Sequence, residues 1–121
     1  MGLELVIIDD APFIREAIRN CVESVGMKVV GEASDGQSGI EVVTKHNPDI
    51  VIMDLVMPEL NGVQVAEQLI AKNPDIKIIA CSTESQKDMV LKALNAGCRE
   101  FLPKPFTTES LKEKIMAVAN A

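Results

Sequence analysis

Five times along this chain of 121 residues, a short apolar run gives way to apolar residues at helical spacing. The runs at residues 3–8, 27–33, 50–53, 76–81 and 100–102 read as strands β1 to β5. The run at 50–53 carries no polar interruption, the mark of a strand covered on both faces. After β1, Pro12 sits just inside a helix start, and Asp10 is the expected N-cap. Phe13, Ile14, Ala17, Ile18, Cys21, Val22 and Val25 form the apolar side of this helix, α1, which Gly26 closes. A turn at 34–36 leads into α2, with Ile40, Val42 and Val43 inward, ending near 45–48. Helix α3 covers roughly 63–72 and turns Val65, Ala66, Leu69 and Ile70 inward. Helix α4, about 85–95, turns Met89, Val90, Ala93 and Leu94 inward, and Gly97 ends it. Thr107 or Thr108 caps α5, with Leu111, Ile115, Met116 and Val118 facing in. Alternating strand and helix units, with no linker or repeat, predict one α/β domain. Its sheet is parallel, with right-handed crossovers and helices on both faces.

Composition removes several function classes. The chain is 47% hydrophobic but has three Phe and no Trp or Tyr, so its core is aliphatic. A net charge of −6 without a basic stripe argues against nucleic-acid binding. No apolar run approaches the roughly 18 residues of a membrane span. Three cysteines without a CxxC pattern, and one histidine (His46) on an outer helix, suit neither zinc nor a thiol nucleophile. They read as reduced thiols of a cytoplasmic chain, and residues 3–8 are too short for a leader.

Open parallel sheets bind ligands outside the carboxyl ends of their strands. Here β1 ends in Asp9-Asp10, β3 in Asp54, β4 in Ser82-Thr83, and Lys104 follows β5. These groups are expected to converge. Two carboxylates about 4 Å apart repel by about 4 kcal/mol at an effective dielectric near 20. A hard divalent cation relieves that repulsion, and oxygen ligands select Mg²⁺, Mn²⁺ or Ca²⁺ over zinc. A lysine and a hydroxyl suit the oxygens of a phosphoryl group. A carboxylate can also attack phosphorus and form an acyl phosphate. Each group has a plainer reading alone: a helix cap for Asp9-Asp10 and for Ser82-Thr83, a turn acid for Asp54, a solvated lysine for Lys104. Their joint presence at four strand ends is the signal.

These residues resemble the receiver domain of two-component response regulators, over essentially residues 1–121. The resemblance rests on Ile7-Ile8-Asp9-Asp10, on 53–62 with its DxxMPxxxG pattern, on Ser82, on Ala96-Gly97 and on Lys104-Pro105-Phe106. It is similar above all to single-domain chemotaxis regulators of the CheY type. The resemblance implies a flavodoxin-like (βα)5 fold with strand order 2-1-3-4-5. It implies that Asp54 takes a phosphoryl group from a sensor histidine kinase, and that Asp9, Asp10, Asp54 and the Val56 carbonyl hold Mg²⁺, or Mn²⁺ in its place. Lys104 would pair with the phosphoryl group, and its bond into Pro105 would be cis. Ser82 and Phe101 would switch together and alter the α4-β5-α5 face, about residues 89–114, for a downstream protein. A phosphatase would be a further partner, and the protein would be a monomeric switch rather than an enzyme with turnover. Thr83 stands where the family usually has Ala; it either crowds the phosphoryl entry or offers a second hydroxyl. Val56 is apolar where some members place a group that positions water. With Glu84 as the other variable neighbour, slow self-dephosphorylation is expected. A receiver excised from a larger regulator, or a degenerate one, would share these motifs. A flavin carrier would need a hydroxyl-rich first loop, and a Mg²⁺-dependent Asp phosphatase would need DxD and a cap, neither of which is present.

Overall fold

The computed structural model describes residues 2–120, and the side chain of Glu84 lies outside the described residues. Five strands form one parallel sheet in the order β2-β1-β3-β4-β5. They are β1 (Glu4–Ile8), β2 (Lys28–Ala33), β3 (Ile50–Asp54), β4 (Lys77–Ser82) and β5 (Glu100–Pro103). The helices are α1 (Pro12–Ser24), α2 (Gly36–His46), α3 (Gly62–Lys72), α4 (Lys87–Ala96) and α5 (Thr108–Ala119). The strand order is the one the resemblance implied.

Successive strand residues point to opposite faces, and the core divides accordingly. Leu5, Ile7, Ile50 and Ile52 pack with Ile18 and Val22 of α1 and with Leu111 and Ile115 of α5. Val6, Ile8, Val51 and Met53 pack with Ile40 of α2, Leu69 of α3 and Ala93 of α4. β3 lies in the middle with all five residues buried, because helices cover both of its faces.

The helix ends follow local chemistry. Asp35 accepts the Ser38 N–H at 2.8 Å and caps α2. Asn61 and Gln64 form a reciprocal capping box on α3, and Thr107 caps α5. Gly26 and Gly97 take positive φ just past α1 and α4, as the sequence predicted.

Several expectations need correction. Asp10 does not cap α1: the N-cap is Ala11, whose N–H is taken by the Asp9 carboxylate at 2.9 Å. Phe13 is 73% exposed rather than inward, since the α1 face that meets the core runs through Ile18, Cys21 and Val22. Leu94 and Met116 are exposed too. Each follows directly on a buried residue, Ala93 or Ile115, and one step turns a helical side chain about 100° away. A separate 3-10 turn, Glu84–Gln86, precedes α4, so that helix starts at Lys87 rather than Ser85.

Candidate functional site

Asp9 follows β1 and is only 1% exposed, while its neighbour Asp10 faces solvent. Asp54 is the last residue of β3, 8% exposed, and its Oδ1 accepts the Val56 N–H at 3.1 Å. β1 and β3 are adjacent in the sheet, so the acids meet: one carboxylate oxygen from each of Asp9, Asp10 and Asp54 lies within 4.8 Å of the others. Lys104 comes in from β5. Its backbone N–H donates to the Ser82 carbonyl at 2.8 Å, and its bond to Pro105 is cis. Its Nζ lies 2.8 Å from Asp9 Oδ2 and 3.3 Å from Asp54 Oδ2. One ammonium thus bridges two buried acids.

The electrostatics follow from that geometry. Burial pushes the Asp54 carboxyl above the usual carboxylate range; the Val56 N–H and the Lys104 ammonium oppose it, and Asp9 adds to it. Burial works against the Lys104 charge, yet Asp9 and Asp54 together outweigh it and hold that ammonium above the ordinary lysine value. Beside them the Cys81 thiol is pushed up to about 12, chiefly by burial, and Cys98 to about 11. All three cysteines are free and buried, in line with inert thiols.

The loop after Asp54 is pinned back on the strand. Gly62 donates its N–H to the Leu55 carbonyl at 2.8 Å, and a Cβ at Gly62 would lie 2.7 Å from Leu55 Cα. Only glycine allows that approach. It starts α3 beside the acids and leaves the Val56 side chain 44% exposed.

Ser82 ends β4, buried at 1% exposure. Its hydroxyl donates within its own loop, to Gln86 Oε1 and, at 3.4 Å, to the Thr83 carbonyl. Thr83 is exposed, with Oγ1 2.8 Å from Ser85 Oγ. Phe101 is half-buried and lines a cleft of about 470 Å³ with Thr83, Lys87, Val90, Leu91 and Pro103. Asp9, Asp10, Asp54 and Lys104 therefore form one cluster. Ser82 stands on the strand beside β3, and Phe101 lies farther out, next to α4.

Two neighbours escaped the sequence reading. Arg15 donates from Nη1 to the Asp9 carbonyl at 2.6 Å and from Nε to Glu32 at 3.2 Å, bracing the acid loop against β2. Nothing in the spacing of 9 and 15 announces that contact. Gln86 was missed although a signal for it exists, because Thr83-x-x-Gln86 has the form of a capping box.

The donor set suits a hard divalent cation. Three carboxylates meet with no imidazole or thiolate among them, and a lysine beside them supplies opposing charge. Such a cluster can hold Mg²⁺. The family model of the response regulator receiver domain matches residues 5–116. The chain is 37% identical over 119 residues to chemotaxis protein CheY of Thermotoga maritima, covering 98% of this chain and 99% of that protein. It is 38% identical over 117 residues to chemotaxis protein CheY of Listeria monocytogenes, covering 97% and 98%. Among solved structures, the response regulator domain of Thermotoga maritima CheB superposes with a TM-score of 0.89 at 28% identity, covering 100% of this chain and 98% of that one. Fold, strand-end cluster and relatives lead to one conclusion: the chain belongs to the response regulator receiver domain family.

Proposed function

We propose that this protein is a phosphorylation-activated signalling switch in which Asp54 takes a phosphoryl group from the phosphohistidine of a sensor kinase. The observation that carries this reading is the cluster itself: three acids within 4.8 Å, with Lys104 bridging two of them. Asp9, Asp10, Asp54 and the Val56 carbonyl would hold Mg²⁺, or Mn²⁺. When bound, the ion offsets charge on the transferring phosphoryl group.

The residues do the rest. The Val56 N–H holds Asp54 Oδ1, and Oδ2 stays beside the Lys104 ammonium. A carboxylate oxygen attacks phosphorus, the P–N bond to the imidazole breaks, and its electron pair stays on the imidazole nitrogen. The product carries nearly two negative charges and three acceptors. Lys104 can exchange a carboxylate oxygen for a phosphoryl oxygen with little motion. Ser82 turns toward the group, Phe101 moves inward behind it, and the α4-β5-α5 face changes for a downstream protein. Residues 1–121 act here as one receiver domain. A role in chemotaxis rests on full-length similarity to two CheY proteins.

Incubation with Mg²⁺ and a small phosphodonor should add one phosphoryl group by intact mass, and Asp54→Asn should add none. An unchanged wild-type mass with Mg²⁺ shown bound would defeat the assignment. Val56 places an exposed apolar side chain beside the site in place of a polar one that could position water, so the phosphorylated form should decay slowly. A half-life of seconds, read from the same mass measurement over time, would contradict that.

A further inference from the structure

Gln86 is a neighbour that phosphoryl transfer does not use. Its side-chain carbonyl receives two donors, the Ser82 hydroxyl and the Thr83 N–H, the latter at 3.2 Å. Its backbone N–H meets the Thr83 carbonyl, also at 3.2 Å. The residue thereby closes the 3-10 turn and engages the buried serine at once.

We propose that Gln86 is a latch on Ser82, a positioning residue that holds the hydroxyl in its resting direction until a phosphoryl oxygen at Asp54 takes it over. The inference rests on the phosphoacceptor reading of Asp54. Ser82 is 1% exposed, so its hydroxyl has little water to fall back on. A buried donor without a good acceptor is costly, and the Thr83 carbonyl at 3.4 Å is a longer, weaker alternative, which keeps the hydroxyl on Gln86 until a stronger acceptor arrives. A charged phosphoryl oxygen accepts roughly twice as strongly as a neutral amide. When Ser82 leaves, Gln86 Oε1 keeps the Thr83 N–H and the turn stays closed. The exchange is then one hydrogen bond for another, and Gln86 sets its threshold.

The plainer role is a capping-box glutamine that merely closes the turn. Both roles use the Thr83 N–H, but only the latch acts through Ser82. A double-mutant cycle separates them. The probe is beryllofluoride, titrated calorimetrically in excess Mg²⁺ into wild type, Gln86→Leu, Ser82→Ala and the double variant. Gln86→Leu removes the acceptor at similar size. It should bind beryllofluoride roughly two- to tenfold more tightly than wild type, the range of one neutral hydrogen bond. In the Ser82→Ala background the same change should leave affinity unaltered. Equal affinity for Gln86→Leu and wild type overturns the latch, as does the same gain without Ser82. In the resting protein the Thr83 amide resonance should move in Gln86→Leu, and an unmoved resonance also overturns it. Wild type that gains phosphoryl from a small donor while the cycle shows no coupling sinks the latch alone. Wild type that neither gains phosphoryl nor binds the probe sinks the Asp54 reading and the latch with it.

Discussion

Asp54 is held as an anion where an anion is poorly solvated. Burial raises its carboxyl, and the Val56 N–H and Lys104 offset this only in part. The sign of the stability effect follows. A carboxyl raised on folding favours the fold while protonated, and that contribution is lost as pH rises from the ordinary carboxylate value through the raised one. At neutral pH the ionised group therefore works against folding. Asp54→Asn is predicted to melt higher than wild type in Mg²⁺-free buffer near pH 7, with the gap narrowing in acid. A lower midpoint for the variant in calorimetry would reverse that account. At this scale the sequence was informative about type and less so about direction. Asp9, Asp10, Asp54, Ser82 and Lys104 were legible as polar ends of apolar runs. That Ser82 bonds Gln86 was not, because a side-chain direction depends on which acceptor lies nearest. Asp10 as a cap failed because the helix starts one residue later: the Ala11 carbonyl accepts the Arg15 N–H, which makes Ala11 the N-cap.

The buried strands were read well, the width of the helix faces less well. The run at 50–53 predicted a strand buried on both faces, and all of β3 is buried. Its two core faces are separated by parity, so a truncation in β3 opens a cavity on one side only. Ile52, 1% exposed, faces α1 and α5. Ile52→Ala should cost about 3 kcal/mol in urea unfolding, within the span for buried aliphatic truncations. A loss below about 1 kcal/mol would mean that the helices close over the gap. The faces of α4 and α5 were read too wide, as Leu94 and Met116 show. Spacing gives a helix its stripe but not the stripe's width, which depends on how far the sheet extends beneath it. The 3-10 turn before α4 has no apolar signal and shows only in its cap residues.

For the whole molecule, the strand order divides the cluster. β1 and β3, side by side, carry Asp9, Asp10 and Asp54, while β4 and β5 carry Ser82 and Lys104. Order 2-1-3-4-5 was legible only through the resemblance, because five parallel units allow other orders. The Lys104 bridge links the two halves. Lys104→Ala is predicted to accept phosphoryl on Asp54 yet couple weakly to a partner, because nothing then draws the end of β5 toward the new charge. Native-like partner binding by that phosphorylated variant would count against the coupling. The 2.8 Å contact of Lys104 with Asp9 has a further consequence. The donor of that contact leads into α5, which packs against α1, while its acceptor sits at the head of α1. Residues 95 positions apart in the sequence are thus clasped at the acid cluster. Beside the β3-β4 ladder, in which Asp54 pairs with Cys81, that one ammonium is a second tie between the acids of β1 and β3 and the end of β5, so a change of charge at the acids is felt at the last strand without passing through the sheet.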